Sequence, residues 1–215
     1  MPGQRDQAGD VLAFWFGETR PRQWFAKDAA FDGLVRDRFH GLTRQALGGE
    51  FDAWSTEPTG GLALVLLLDQ FPRQIWRDSA MAFAGDPQAL AESLQAVERG
   101  WLEAEAEQAR RQFWLMPLMH SEDLAVQEAA LPLFERFCDP RTADFARQHR
   151  DVIARFGRFP HRNAALGLVS SAEELASCRR RVPGSDWLNA RHEREVVATG
   201  VHRAASPAGA SGSRA

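Results

Sequence analysis

The chain has 215 residues, 44% of them apolar, which is enough for one compact domain with a sizeable core. It contains no Tyr and a single lysine, Lys27, so a Tyr general acid is excluded and any Schiff-base chemistry is confined to an exposed-looking stretch at residues 24–28. Net charge is −3, no overall basic face points to nucleic acid, and two cysteines with no Cys-x-x-Cys spacing exclude a zinc ribbon or a thioredoxin-type site.

The first nine residues are polar and are expected to be flexible, and they hold no apolar signal-peptide region. Asp10 then reads as the cap of a helix over 11–16, closed by Gly17. Asp28 predicts a long helix to residue 47, with Phe31, Leu34, Val35, Phe39, Leu42 and Ala46 on one stripe. Residues 62–70 are apolar on every side and predict the central, buried helix, which Pro72 stops or kinks. That aliphatic run is far too short to span a bilayer, and a soluble cytoplasmic protein with no membrane partner is the expectation.

Asp86-Pro87 reads as an N-cap with proline at the first helical position, opening a helix to about Gly100. Helices are expected over 103–114 (ending near Pro117), over 122–137 with Ser121 as cap, and over 142–156. A short turn follows at 163–166, and Ser170-Ser171-Ala172-Glu173 reads as a capping box for a last helix. Val and Ile are sparse and period-2 alternation is missing, so no strand is predicted. The expected fold is all-α, a single-domain array of antiparallel helix hairpins over 10–177. Residues 178–215 hold seven Arg against three acids and read as an atypical tail, disordered from about Asn189 onward.

Three segments place Arg, His or carboxylate beside apolar runs, where polar groups need partners or a ligand. They are Leu68-Asp69-Gln70-Phe71-Pro72-Arg73, His120-Ser121-Glu122-Asp123, and Phe156-Gly157-Arg158-Phe159-Pro160-His161-Arg162-Asn163. Together with Val11-Leu12-Ala13-Phe14-Trp15-Phe16-Gly17, Trp24-Phe25, the stretch from Met116 with Gln127, and Leu166-Gly167, they make the chain resemble the bacterial domain of unknown function 924 family. The resemblance runs from about Val11 to Leu175. It implies an all-helical, tetratricopeptide-repeat-like fold and no reaction. Gln74 stands where the family pattern has Asn, and Leu168 where it usually has Arg. The family ends soon after the last helix, so a reading-frame shift near Ala176 is a further expectation. A gene sequence in which no other frame restores a family-like ending would dispose of it.

Each segment carries a bland reading beside a sharper one. Asp69 and Arg73 are spaced for a local i,i+4 pair, and equally for an Arg held ready for an anion with Gln70 beside it. Glu122 and Asp123 suit a helix first turn, while His120 is the best acid–base candidate of the chain, with Glu122 as its catalytic companion. Arg158, His161, Arg162 and Asn163 form either an anion pocket or, with Glu122 or Asp123 as partner, an internal polar staple. Trp15, Trp24, Trp76 and Trp114 are expected in the core. No His-Glu-x-x-His spacing occurs, so no metal site is assigned; a mononuclear site from His120, His161 and a carboxylate would require folding to join them, and the cofactor is left open.

The leading expectation is a protein whose Arg/His/carboxylate pocket binds a small anionic molecule, clamped by Arg73, Arg158 and Arg162. Two readings stand beside it. One is a hydrolase-type enzyme using His120 for acid–base or metal-assisted chemistry. The other is a scaffold for a protein or peptide partner in which the polar motifs are structural. Oligomeric state is left open.

Overall fold

A computed structural model describes residues 2–180, and these are helical, with no strand among them. The expected disorder after Asn189 lies outside the described residues. The first helix, α1, covers Pro2–Leu12 and starts well before the expected cap at Asp10. The reason is packing: Ala8, Val11 and Leu12 are all buried, so the preceding turn is drawn into the core. The chain continues in wide turns over Ala13–Glu18, which seat Phe14 and Trp15 with almost no exposure. A short α2 (Pro21–Trp24) follows.

The long helix α3 (Ala29–Leu47) is capped by Asp28, whose carboxylate accepts from the N–H groups of Ala30 and Phe31. The expected stripe is corrected at one place. Leu34 is half exposed, while Asp32 and Thr43 are buried on the inner face. The central helix runs as α4 (Pro58–Val65), wide turns over Leu66–Gln70, and α5 (Phe71–Ile75), with every residue from Gly61 to Pro72 buried.

Pro72 therefore does not end this helix. It has no N–H to give to the carbonyl four residues back. The ladder passes it through a wider turn, in which Phe71 N–H donates to Leu66 O five residues earlier. Beside that turn lies Gly85, where a Cβ would collide with the Leu68 carbonyl. Only glycine lets the backbone approach so closely, and the approach brings the start of α6 (Asp86–Glu98) against the wide turn. Asp86 lies inside the first turn of α6, with Gly85 at the cap position.

After a short α7 (Trp101–Ala104), the helix α8 (Gln108–His120) continues through Pro117, three residues beyond the expected stop. Gln127 explains the extension. It is buried in α9 (Leu124–Phe137) and its Nε2 donates to the carbonyls of Met119 (2.6 Å) and Ser121 (2.8 Å). Those carbonyls belong to a helix end that would otherwise be unsatisfied. The cap of α9 is Asp123 rather than Ser121.

Helix α10 (Pro140–Phe156) begins two residues early because Asp139 caps it. It ends on Gly157, whose φ of 67° suits glycine and turns the chain back toward α8. The last helix, α11 (Ala172–Arg180), extends through Cys178. Its capping box pairs Ser171 with Glu174, one residue later than expected. Short loops join α8 to α9 and α9 to α10, and these consecutive helices pack together, as hairpins require. The aromatic centre is built from Trp15, Trp24, Phe71 and Phe113, with ring centroids 5.0–5.5 Å apart for Trp24–Phe113, Trp15–Phe71 and Trp15–Phe113. Trp76 is half-buried and meets His40 edge-on.

Candidate functional site

Asp69 is the pivot of the site. It sits in the wide turn of the central helix and has no exposure. A buried carboxylate needs compensation from every side, and here it has it. Gln70 Nε2 donates to one oxygen. Arg73, one turn on, places Nη1 3.1 Å from Oδ1 and also bonds the Asp69 carbonyl. His120, at the end of α8, places Nδ1 2.7 Å from the same Oδ1.

Burial alone would raise the Asp69 carboxyl, but the Arg73 charge, His120 and Gln70 outweigh it and hold the group well below the usual carboxylate range. Burial lowers the His120 imidazole; Arg73 lowers it further and Asp69 only partly opposes this, so the ring is neutral at neutral pH. A carboxylate can only accept, so the neutral ring carries its proton on Nδ1 and donates it to Asp69. Nε2 then keeps a lone pair on the side away from Asp69. A carboxylate behind an imidazole in this way fixes both tautomer and orientation.

A second layer surrounds this pair. Arg73 also reaches Asp86, at 3.0 Å from Nη1 to Oδ1. Arg162 reaches the same carboxylate, at 3.1 Å from Nη1 to Oδ2. Arg162 Nη2 donates to the His120 carbonyl at 3.0 Å, and its guanidinium lies 4.7 Å from the ring centres of both Phe83 and Phe159. The chain Asp69–Arg73–Asp86–Arg162 thus alternates in sign and links the central helix, α6 and the loop after α10. It is an internal staple, with Asp86 in the place expected for Glu122 or Asp123.

The other expected site residues fall around this network or away from it. Glu122 is 3.9 Å from Arg162, at the rim, and its main bond is to the Phe159 N–H at 2.8 Å. It does not touch the His120 imidazole. Asp123 is occupied as the α9 cap. Arg158 points the other way, to Glu174, with Nε 2.7 Å from Oε1. Its hydrogen bond lowers the Glu174 carboxyl to about 2. His161 is exposed, its ring 5.5 Å from Phe159. Asn163 is buried and donates to Ser170 Oγ at 3.0 Å. The expected clamp of Arg73, Arg158 and Arg162 is therefore not assembled: Glu174 holds Arg158, and Asp86 answers the other two.

Beside the Asp69–His120 pair lies a cavity of about 210 Å³. Three helix faces meet there. The central helix and the turn after it give Gln70, Arg73, Gln74 and Arg77; α8 gives Gln112, Met116, Met119 and His120; α10 gives Thr142, Phe145 and His149. Trp24, Phe25 and Ala26 close the remaining side. Arg77 is held by Asp32, with both bonds at 2.6 Å. His149 Nδ1 lies 2.8 Å from the Phe145 carbonyl.

Sequence reasoning missed Asp86, because Asp-Pro reads as a cap. Of the cavity wall it named Gln70, Arg73 and His120 and missed Arg77, Gln112, Met116 and the α10 face, although Gln70, Arg73 or Gln74, and Arg77 recur at helical spacing along the buried helix and the turn after it. So do Gln112, Met116 and His120. That polar stripe within a buried helix was the available signal. Among the described residues, no group of three or more His, Cys, Asp or Glu is placed to hold a metal ion. No helix among them is long and apolar enough to cross a membrane.

Comparison with known proteins gives a family and a fold. The profile described as "Bacterial protein of unknown function (DUF924)" matches residues 11–180. The solved structure of the protein of unknown function ATU0120 from Agrobacterium tumefaciens is similar, with a TM-score of 0.76 and 39% identity over 81% of this chain and 98% of that one. No curated protein matches.

Proposed function

Since the chain belongs to the DUF924 family of bacterial proteins, whose description names no reaction, we propose a function from the site itself: the cavity beside Asp69 and His120 binds a small molecule, and the pair supplies its acid–base group. The observation that carries this reading is the 2.7 Å bond from His120 Nδ1 to a carboxylate with no exposure, on the wall of a cavity. A carboxylate that orients an imidazole leaves Nε2 as a base able to take a proton from a bound hydroxyl, amine or water. Perturbed titrating groups at a cavity wall are the usual mark of such sites.

Three of the cations expected to hold an anion are answered by carboxylates of the chain, Arg158 by Glu174 and Arg73 and Arg162 by Asp86. The reading is therefore of a polar pocket rather than an anion clamp. A cytoplasmic location is part of it, supported by the two free cysteines, Cys138 and Cys178.

The test is a thermal-shift screen of one-ring alcohols, amides and acids against the full chain, repeated on His120→Gln. The substitution keeps a polar, neutral side chain and removes the base. Hits should lose at least about tenfold in affinity in the variant, a loss consistent with one hydrogen bond in a buried site. Hits indifferent to the substitution would leave Asp69–His120 as a structural contact only.

A further inference from the structure

We propose that Asp86, which reaches His120 through two arginines, is the positioning residue that keeps the His120 proton on Nδ1; the inference rests on the Asp69–His120 pair being the acid–base group argued above.

A closed circuit of side chains begins and ends at His120. The imidazole Nδ1 lies 2.7 Å from Asp69 Oδ1. Arg73 joins Asp69 to Asp86. Arg162 joins Asp86 back to His120, with Nη1 3.1 Å from Asp86 Oδ2 and Nη2 donating to the His120 carbonyl at 3.0 Å. Both arginines meet on Asp86, so its carboxylate acts on the ring from one side and on the main chain from the other.

The first arm settles a competition. Asp69 Oδ1 is approached by His120 Nδ1 at 2.7 Å and by Arg73 Nη1 at 3.1 Å. A guanidinium is the stronger claimant for a carboxylate, because its charge is permanent while the ring is neutral. Asp86 draws it off. Its Oδ1 lies 3.0 Å from Arg73 Nη1 and its Oδ2 3.1 Å from Nη2, so both terminal nitrogens are turned toward it. Without that charge Arg73 is left with Asp69, closes on Oδ1 and loosens the bond from the ring.

The second arm holds the main chain. Arg162 takes the His120 carbonyl, while Gln127 takes those of Met119 and Ser121 on either side. The Gln127 bonds do not pass through Asp86, so the end of α8 outlasts a change there and the ring is what responds. The place of Asp86 is set by its neighbour: Gly85 lies so close to the Leu68 carbonyl that a Cβ would collide with it, and Asp69 is the next residue of that same turn.

Long-range proton–nitrogen NMR of the ¹⁵N-labelled full chain at neutral pH reads which ring nitrogen carries the proton, and His120→Gln identifies the His120 signals. A free neutral imidazole favours the proton on Nε2; wild type should show it on Nδ1. Asp86→Asn, equal in shape and without the charge, should move the equilibrium toward Nε2 by roughly tenfold, the lower end of what a hydrogen bond to a charged group is worth. Asp86→Glu returns the charge and should recover part of the wild-type signal. Glu122→Gln removes an equal charge 3.9 Å from Arg162 and should leave the ring as it is. Should Asp86→Asn fail to fold, Arg162→Lys decides: it keeps the charge, loses the fork that spans Asp86 and the carbonyl, and should shift the ring the same way. A wild-type tautomer in folded Asp86→Asn, or in Arg162→Lys where that stands in, would overturn the proposal. So would an equal shift in Glu122→Gln, no recovery in Asp86→Glu, or a wild-type proton on Nε2. No ligand enters this measurement, so a thermal-shift screen without hits would end the binding reading and leave the effect of Asp86 on the ring standing.

Discussion

Arg162 shows how much one side chain can join. It is 7% exposed, it bonds the Asp86 carboxylate and the His120 carbonyl, and it lies 4.7 Å from the centres of two phenyl rings. Removing one partner of a buried charge network leaves the rest uncompensated, so Arg162→Met should cost about 3–5 kcal/mol in chemical denaturation. Glu122, at the rim and 3.9 Å away, gives a contrast: Glu122→Gln should cost less than about 1 kcal/mol. Equal costs would mean that the rim pair, and not Asp86, answers the Arg162 charge. Sequence alone shows that Arg162 needs an acid, since cations in an apolar stretch must be matched. It does not show which, because Asp86 lies 76 residues away and wears the signature of a helix cap. The Asp69–Arg73 pair was legible, being one turn apart on a single helix. The 2.7 Å contact to His120 was not, because it depends on where α8 ends.

At the scale of the element, the wide turn at Leu66–Gln70 and the glycine pressed against it place two carboxylates around Arg73. Gly85 has an ordinary φ of −91°, so the demand there is for space and not for an unusual backbone. Gly85→Ala should therefore destabilise the fold by a few kcal/mol, about what overpacking a tight contact costs, and should weaken the Asp86 contacts with it. A melting temperature unchanged in Gly85→Ala would show that the α6 segment can back away freely. Helix α3 was legible from its cap and apolar spacing, whereas α6, α9 and α10 were legible as helices but their caps fall at Gly85, Asp123 and Asp139. The continuation through Pro72 was not, because the rule that proline ends a helix assumes α-type bonding. A buried, all-apolar helix has reason to keep going, since breaking it would expose several leucines. The same holds at Pro117, where Gln127 supplies the partners for the helix end.

For the whole molecule, the helical class followed from the absence of period-2 alternation and the density of caps, while the way three helix faces enclose one cavity did not. Such convergence is a property of packing angles, which no local pattern encodes. The far end of the molecule has its own electrostatic fastening. Glu174 of α11 is lowered to about 2 by its hydrogen bond to Arg158, while an unfolded Glu titrates near 4.3. A carboxyl lowered on folding adds stability that is complete above the unfolded value and is lost as pH falls toward the folded one. Wild type should therefore exceed Glu174→Gln in stability at neutral pH. The excess should shrink between roughly pH 4.3 and about 2, as read by urea melts at stepped pH. A constant difference across that range would remove Glu174 from the acid response. The span from Asp86 to Arg162 has a consequence in time. At roughly 5–20 residues per second, the ribosome releases Asp86 about 4–15 s before Arg162. Until Arg162 is made, Arg73 is the one arginine of the network available to Asp69 and Asp86, which leaves those three groups with one negative charge more than positive. The site is sealed by one of the last parts of the helical domain to be made.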